Sequence, residues 1–234
     1  RLLRAEPPPM IARYLETIEQ FNPDGEARFY PGSPWLALSL LRPKDRLRLF
    51  ELHPTEFRNL GLNIASLASE DQKKIQTYER DGFAGPKALL PPPTRRAVTL
   101  IDPSYEDKSD YRKTLLCLQE ALKRFPTGCY LIWYPLVQRR EATEMVRALE
   151  RLHDVNWLNA SLTVHRPSRD GLGLHGSGLF IVNPPWTLQK SLKNTLPWLA
   201  ETLAQDKFAT FTLRSNEAQK QASKGAQKRS PSGK

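Results

Sequence analysis

The residues best placed to do chemistry are Asp102-Pro103-Ser104-Tyr105, which directly follow the apolar stretch at residues 97–101. Such a stretch reads as a buried strand, and a proline just beyond it stops the strand and fixes its last carbonyls in a turn. In an open α/β sheet the carboxyl ends of the strands border the ligand crevice. A carboxylate there, with a neighbouring carbonyl, can accept both N–H bonds of an exocyclic amine and aim the nitrogen lone pair at an electrophilic methyl group. Tyr105 would stack on a base extruded from its helix. Without the strand and the tyrosine, Asp102 reads equally well as a loop aspartate before a proline turn.

Other positions carry weaker signals. Glu51 closes the apolar stretch 47–50, where an acid commonly accepts hydrogen bonds from ribose hydroxyls; the plain alternative is an exposed strand-end acid. Asp81-Gly82 alone is a turn signal. Ser33 before Pro34 reads as a helix cap, with Pro34 at the first helical position. Asn183-Pro184-Pro185-Trp186 also follows an apolar stretch and rivals Asp102. Gly171-Leu172-Gly173-Leu174-His175-Gly176 matches a dinucleotide fingerprint in letters only, because a polar loop precedes it and a strand follows. His53, His153, His165 and His175 are scattered, and Ser177 lacks the glycine two residues before it that a nucleophile elbow requires, so neither a metal site nor a hydrolase relay is expected. His53 reads as structural, and Trp133 and Tyr134 as packing residues.

The elements that must position these groups follow from periodicity. After Pro7-Pro8-Pro9, residues Ile11, Tyr14, Leu15, Ile18 and Phe21 recur at helical spacing until Asn22-Pro23-Asp24-Gly25 ends the pattern. A short helix follows from Ser33-Pro34 to near Pro43. Strands are expected at 47–50, 97–101, 130–133, 162–165, 178–182 and 208–213. Helices are expected through Leu115–Phe125, Met145–Leu152 and Leu188–Leu203. This alternation predicts an α/β fold, a mostly parallel sheet with helices on both faces, although the last strands flank a Gly-rich turn.

Asp102 to Tyr105 resembles the Asp-Pro-Pro-Tyr motif of adenine-N6 methyltransferases, with Ser104 where that pattern has proline. The resemblance extends in order through Tyr30-Pro31-Gly32-Ser33-Pro34, Glu51-Leu52-His53-Pro54, Asp81-Gly82-Phe83, Ile101 to Glu106, Trp133-Tyr134-Pro135 and Asn183-Pro184-Pro185-Trp186. On these motifs the chain, up to about residue 213, is similar to the RlmJ family, which methylates an adenine of 23S ribosomal RNA. The resemblance implies a Rossmann-like S-adenosyl-L-methionine-dependent methyltransferase fold. It implies that Ser33, Glu51, Asp81, Gly82 and Asp102 contact S-adenosyl-L-methionine, and that Asp102, Pro103 and Tyr105 carry catalysis without a metal. The family order, an acid-ended strand, an Asp-Gly turn and then the catalytic motif, gives that slot to Asp102 and leaves Asn183 to end a strand. The hairpin connection at 171–176 would then touch RNA through Arg166 and Arg169. The family's first strand and glycine-rich cofactor loop would lie before Arg1; their absence from this chain, and its start at arginine, suggest that upstream residues were removed. Two alternatives are a catalytically silent RNA-binding fragment and an adenine-N6 methyltransferase acting on DNA.

The bulk properties agree with an anionic partner. The 234 residues carry a formal net charge of +10 with 39% apolar and 9% aromatic content, enough for a sizeable core. Half of the excess lies beyond Leu213: Arg214, Lys220, Lys224, Lys228, Arg229 and Lys234 face the single acid Glu217. That stretch has too little apolar surface to order itself. The expectation is a methyltransferase domain over 1–213 and a basic disordered tail over 214–234. Cys117 and Cys129 suit neither a disulfide framework nor zinc, and no stretch reads as a membrane span or signal peptide. A cytoplasmic monomer is expected, with no membrane partner.

Overall fold

The computed structural model describes residues 6–171 and 173–216. The chain forms two compact units, one over Pro7–Ala88 and one from Leu89 onward, where the sequence points to one domain over 1–213.

In the first unit, helix α1 (Pro9–Gln20) follows the proline lead-in. Asn22 then ties off the turn beyond it. Its side-chain amide donates to the Ile18 and Phe29 carbonyls, and its oxygen accepts from the Arg28 and Phe29 amides, so a buried polar group is fully satisfied. Helix α2 (Ser33–Leu40) takes Gly32 as its cap residue, with Ser33 as the first helical residue and no side-chain capping bond. This corrects the expectation of a Ser33 cap: Pro34 sits one position further in, and the extended backbone of Gly32 makes the entry. Strand β1 (Leu47–Glu51) pairs in parallel with β2 (Ile75–Glu79), placing Glu51 opposite Glu79. Helices α3 (Pro54–Ala65) and α4 (Ser69–Gln72) form the crossover that a parallel pair needs. The Phe50 and Tyr78 rings stack at 4.6 Å. Beyond β2, a 3₁₀ turn (Gly82–Ala84) leads into α5 (Gly85–Leu89).

The second unit holds strands β3 (Val98–Ile101), β4 (Cys129–Leu136), β5 (Trp157–Thr163), β6 (Gly176–Val182) and β7 (Thr210–Ser215) in the order β3-β4-β6-β5-β7. Helices α6 (Ser109–Arg124), α7 (Arg140–Glu150) and α8 (Leu188–Thr202) complete it. Only β3 and β4 are parallel here; the β4–β6, β5–β6 and β5–β7 pairs are antiparallel. The expected mostly parallel sheet is therefore a mixed one. Among the described residues of the 164–175 connection there is no helix, and β5 and β6 pair antiparallel across it, so that β6 inserts between β4 and β5 with both of its pairings antiparallel.

Helices cover both faces, and α6 and α7 share one of them. The Tyr130 hydroxyl donates to the Ala121 and Phe125 carbonyls at the end of α6. The Tyr134 hydroxyl donates to Asn159, whose amide donates to Glu150 on α7, and Arg214 pairs with the same carboxylate at 3.1 Å. This network explains why β5 begins at Trp157 rather than 162. Asn159 interrupts the apolar pattern in the sequence, yet it is buried with its partners in place. It also corrects the tail boundary, because Arg214 and Ser215 belong to β7; residues 217–234 lie outside the described residues.

Candidate active site

Asp102 begins where β3 ends. Ile101 is buried and paired with Ile132 of β4, and the chain leaves the sheet at the next residue. Asp102 keeps one side open to solvent while the surrounding chain crowds its carboxyl, and that desolvation raises its pKa above the ordinary 3.8. The turn after it is held by three groups. The Ser104 hydroxyl accepts from the Glu106 amide at 3.5 Å, a local restraint where the family pattern has proline. Tyr105 adopts a φ of +55°, a left-handed conformation that costs a bulky residue on the order of 1–3 kcal/mol and persists only when its surroundings over-determine it. They do so here: its hydroxyl donates to the Trp133 carbonyl at 2.8 Å, its ring lies 4.7 Å from that of Tyr111 and 6.2 Å from that of Trp133, and its carbonyl accepts from the Arg139 guanidinium at 3.1 Å.

Tyr105 is therefore only 3% exposed, and burial raises its phenol pKa far above the usual range. The left-handed turn sets the ring against the core, where it anchors the Asp102 turn. Pro103, half-buried between Asp102 and Ser104, offers the neighbouring carbonyl. Arg139 escaped the sequence reading because its partner is a main-chain carbonyl 34 residues away, for which no sequence pattern exists.

The rival motif lies elsewhere. Val182 pairs with Tyr130 near the start of β4, whereas Ile101 pairs with Ile132. Asn183 thus leaves the sheet at the amino edge of β3 and β4, opposite Asp102. Its amide donates to the Pro126 and Gly128 carbonyls, both at 2.8 Å, and so ties this strand end to the α6–β4 connection. The 164–175 hairpin lies at the carboxyl edge with Asp102, since β6 runs against β4. Arg166 sits over the Phe208 ring at 4.9 Å, and Arg169 is exposed.

The other residues singled out in the sequence belong to the first unit. Glu51 is the last residue of β1, and its carboxylate accepts from the His53 amide at 2.8 Å; His53, read as structural, performs that task through its backbone. Asp81 caps the 3₁₀ turn beyond β2 by accepting from the Phe83 amide at 2.9 Å. A Cβ on Gly82 would stand 3.3 Å from the Phe50 Cβ, so the missing side chain lets this turn close against β1. Glu51, Asp81 and Gly82 are thereby gathered at the carboxyl ends of adjacent parallel strands, and α2, which begins with Ser33, packs on β1. Each acid uses one oxygen in a backbone contact and retains acceptor capacity. That donor-poor, acceptor-rich end suits a ligand bearing hydroxyl and amine groups, such as the nucleoside part of S-adenosyl-L-methionine. Among the described residues, no three His, Cys, Asp or Glu side chains are grouped to hold a metal.

A ribosomal RNA large subunit methyltransferase J from Haemophilus influenzae is 41% identical over 207 residues, 88% of this chain and 72% of that protein. The Escherichia coli protein of the same name is 40% identical over 198 residues, 84% of this chain and 68% of its own length. A solved protein from Legionella pneumophila superposes with a TM-score of 0.80 at 33% identity, covering 89% of this chain and 74% of that one. Residues 1–213 match the family described as "Ribosomal RNA large subunit methyltransferase D, RlmJ", and to that family the chain belongs.

Proposed function

We propose that the chain methylates the exocyclic N6 of an adenine in 23S ribosomal RNA, with S-adenosyl-L-methionine as methyl donor. The observation that carries this reading is the Asp102 turn: a crowded carboxylate at the end of β3, pinned through Tyr105, in a chain 41% identical to a named ribosomal RNA methyltransferase. When bound, the cofactor supplies an electrophilic methyl group. Asp102 and the Pro103 carbonyl would accept the amine N–H bonds and orient the nitrogen lone pair; as the N–C bond forms and the methyl–sulfur bond breaks to leave the neutral thioether, Asp102 would take up the amine proton. The amine is a weak nucleophile because its lone pair is delocalised into the ring, so orientation and hydrogen bonding supply most of the acceleration. Glu51 would accept from cofactor hydroxyls, and Asp81, Gly82 and Ser33 would help to hold it. The protein acts as a cytoplasmic monomer on RNA; no described helix is long and apolar enough to cross a membrane.

The test is transfer of labelled methyl to unmodified 23S ribosomal RNA by the chain extended to the length of its relatives, beside its Asp102→Asn variant. Label in N6-methyladenine is expected with the parent, and at least a hundredfold less with the variant. Label in duplex DNA and none in ribosomal RNA would overturn the substrate assignment.

A further inference from the structure

The Asn183-Pro184-Pro185-Trp186 motif has no part in the reaction at Asp102, yet its tryptophan is the most exposed large apolar side chain described, at 93%. Tryptophan side chains are highly buried on average, so one left fully in water at a rigid position points to a partner. The position is rigid: Asn183 holds a left-handed backbone with its amide clamped to two carbonyls across the α6–β4 connection, and two prolines follow. Pro184, Pro185 and Trp186 border a small cavity with Trp157, Leu158 and Ser215, so the indole projects from a built surface. A preorganised aromatic of this kind loses little conformational freedom on binding.

The electrostatic setting narrows the partner. Sheet topology brings to this same amino edge the residues before β3, the end of α6, the α7–β5 connection and the start of α8. There Arg95, Arg96, Lys123, Arg151 and Lys190 are exposed. Of the acids nearby, Glu150 is committed to Asn159 and Arg214, and Glu120 to Arg124, leaving Asp154 to oppose the row. At the carboxyl edge, by contrast, Asp102, Glu106, Asp107 and Asp206 offset Lys108, Arg139, Arg166 and Lys207. A row of cations interleaved with an exposed indole fits a polyanion whose bases can be stacked.

We infer that the amino edge of the five-stranded sheet is a second RNA-binding surface, on which Trp186 stacks with an unpaired base while Arg95, Arg96, Lys123 and Lys190 contact phosphates. It rests on the reading of ribosomal RNA as substrate and adds a contact remote from the target adenine. Asp102 is level with Trp133, and Asn183 with Cys129, so the two lie four residues of β4 apart, about 13 Å along the strands. The RNA that fills both places extends well beyond the methylated nucleotide.

The experiment compares binding of 23S ribosomal RNA, and of a short hairpin holding only the target adenine, by the full-length chain and by its Trp186→Ala and Lys123→Gln/Lys190→Gln variants, each checked for an unchanged melting temperature. The expected result is an affinity for 23S ribosomal RNA about tenfold weaker with Trp186→Ala, and a log–log salt slope lower by roughly one per lysine removed. In turnover, KM for the RNA rises while kcat at saturation holds, and the short hairpin is indifferent to all three changes. Equal affinity of parent and variants for 23S ribosomal RNA overturns the surface and leaves the substrate reading standing. So does a Trp186→Ala variant that loses only self-association, which would assign the indole to a second copy. A parent that binds no ribosomal RNA overturns the substrate reading itself.

Discussion

At Asp102 the same crowding that places the carboxylate against an amine also sets its pH behaviour. The folded-state pKa lies above the ordinary 3.8 because burial disfavours the charged form. The folded chain therefore binds this proton more tightly than the unfolded chain does, so the group's contribution to stability declines as pH rises through that interval and remains a cost above it. Asp102→Asn is expected to keep or raise the melting temperature at neutral pH while lowering methyl transfer at least a hundredfold, and calorimetry beside the transfer assay checks both. Single-turnover transfer should fall on the acid side with a midpoint above 3.8, a limb that Asp102→Asn removes. Tyr105→Phe deletes the bond to the Trp133 carbonyl; a loss of about 1 kcal/mol of stability is expected, with lower kcat and unchanged RNA affinity, since the bond it removes anchors the Asp102 turn. That Asp102 follows a strand end was legible in the sequence, because an apolar stretch and a proline flank it. The inward turn of Tyr105 was not, because a positive φ at a residue other than glycine leaves no mark in the letters.

Among the elements, long periodic helices and apolar strands were readable, and misreadings arose where tertiary partners overrode the local pattern. β5 hid behind Asn159, a polar residue made acceptable by Tyr134 and Glu150, and α3 escaped notice between two motif clusters although Phe57, Leu60 and Ile64 recur at helical spacing. Strand direction was half legible: the Gly-rich connection signalled a hairpin, but nothing local told that β6 would insert between β4 and β5. Gly178 makes that insertion possible. It sits opposite Tyr134 in the β4–β6 pair, and a Cβ there would collide with the tyrosine ring. Gly178→Ala is expected to push Tyr134 off Asn159 and to destabilise the second unit by about 1–3 kcal/mol, measurable by denaturant unfolding, with the Tyr78–Phe50 sheet of the first unit unaffected.

For the molecule as a whole, charge indicated the partner class and the ordered motifs indicated the family, but the division into two units was invisible to composition. The order of strands across the larger sheet also fixes who guards its margin. β7 closes one side, pairing along the whole of Leu158–Thr163, and it is a short strand that carries the charged Arg214, features that limit further pairing at an edge. β5 behind it is rich in buried apolar side chains and would make a poor edge. A chain cut after residue 209 should therefore expose a sticky hydrogen-bonding rim and aggregate, while one cut after Asn216, whose side chain still bonds the Trp157 amide and the Val155 carbonyl, should stay monodisperse by light scattering. The last described strand thus acts as the seal of this sheet: until Ser215 has emerged from the ribosome, the nascent chain carries an open template for association with its own copies.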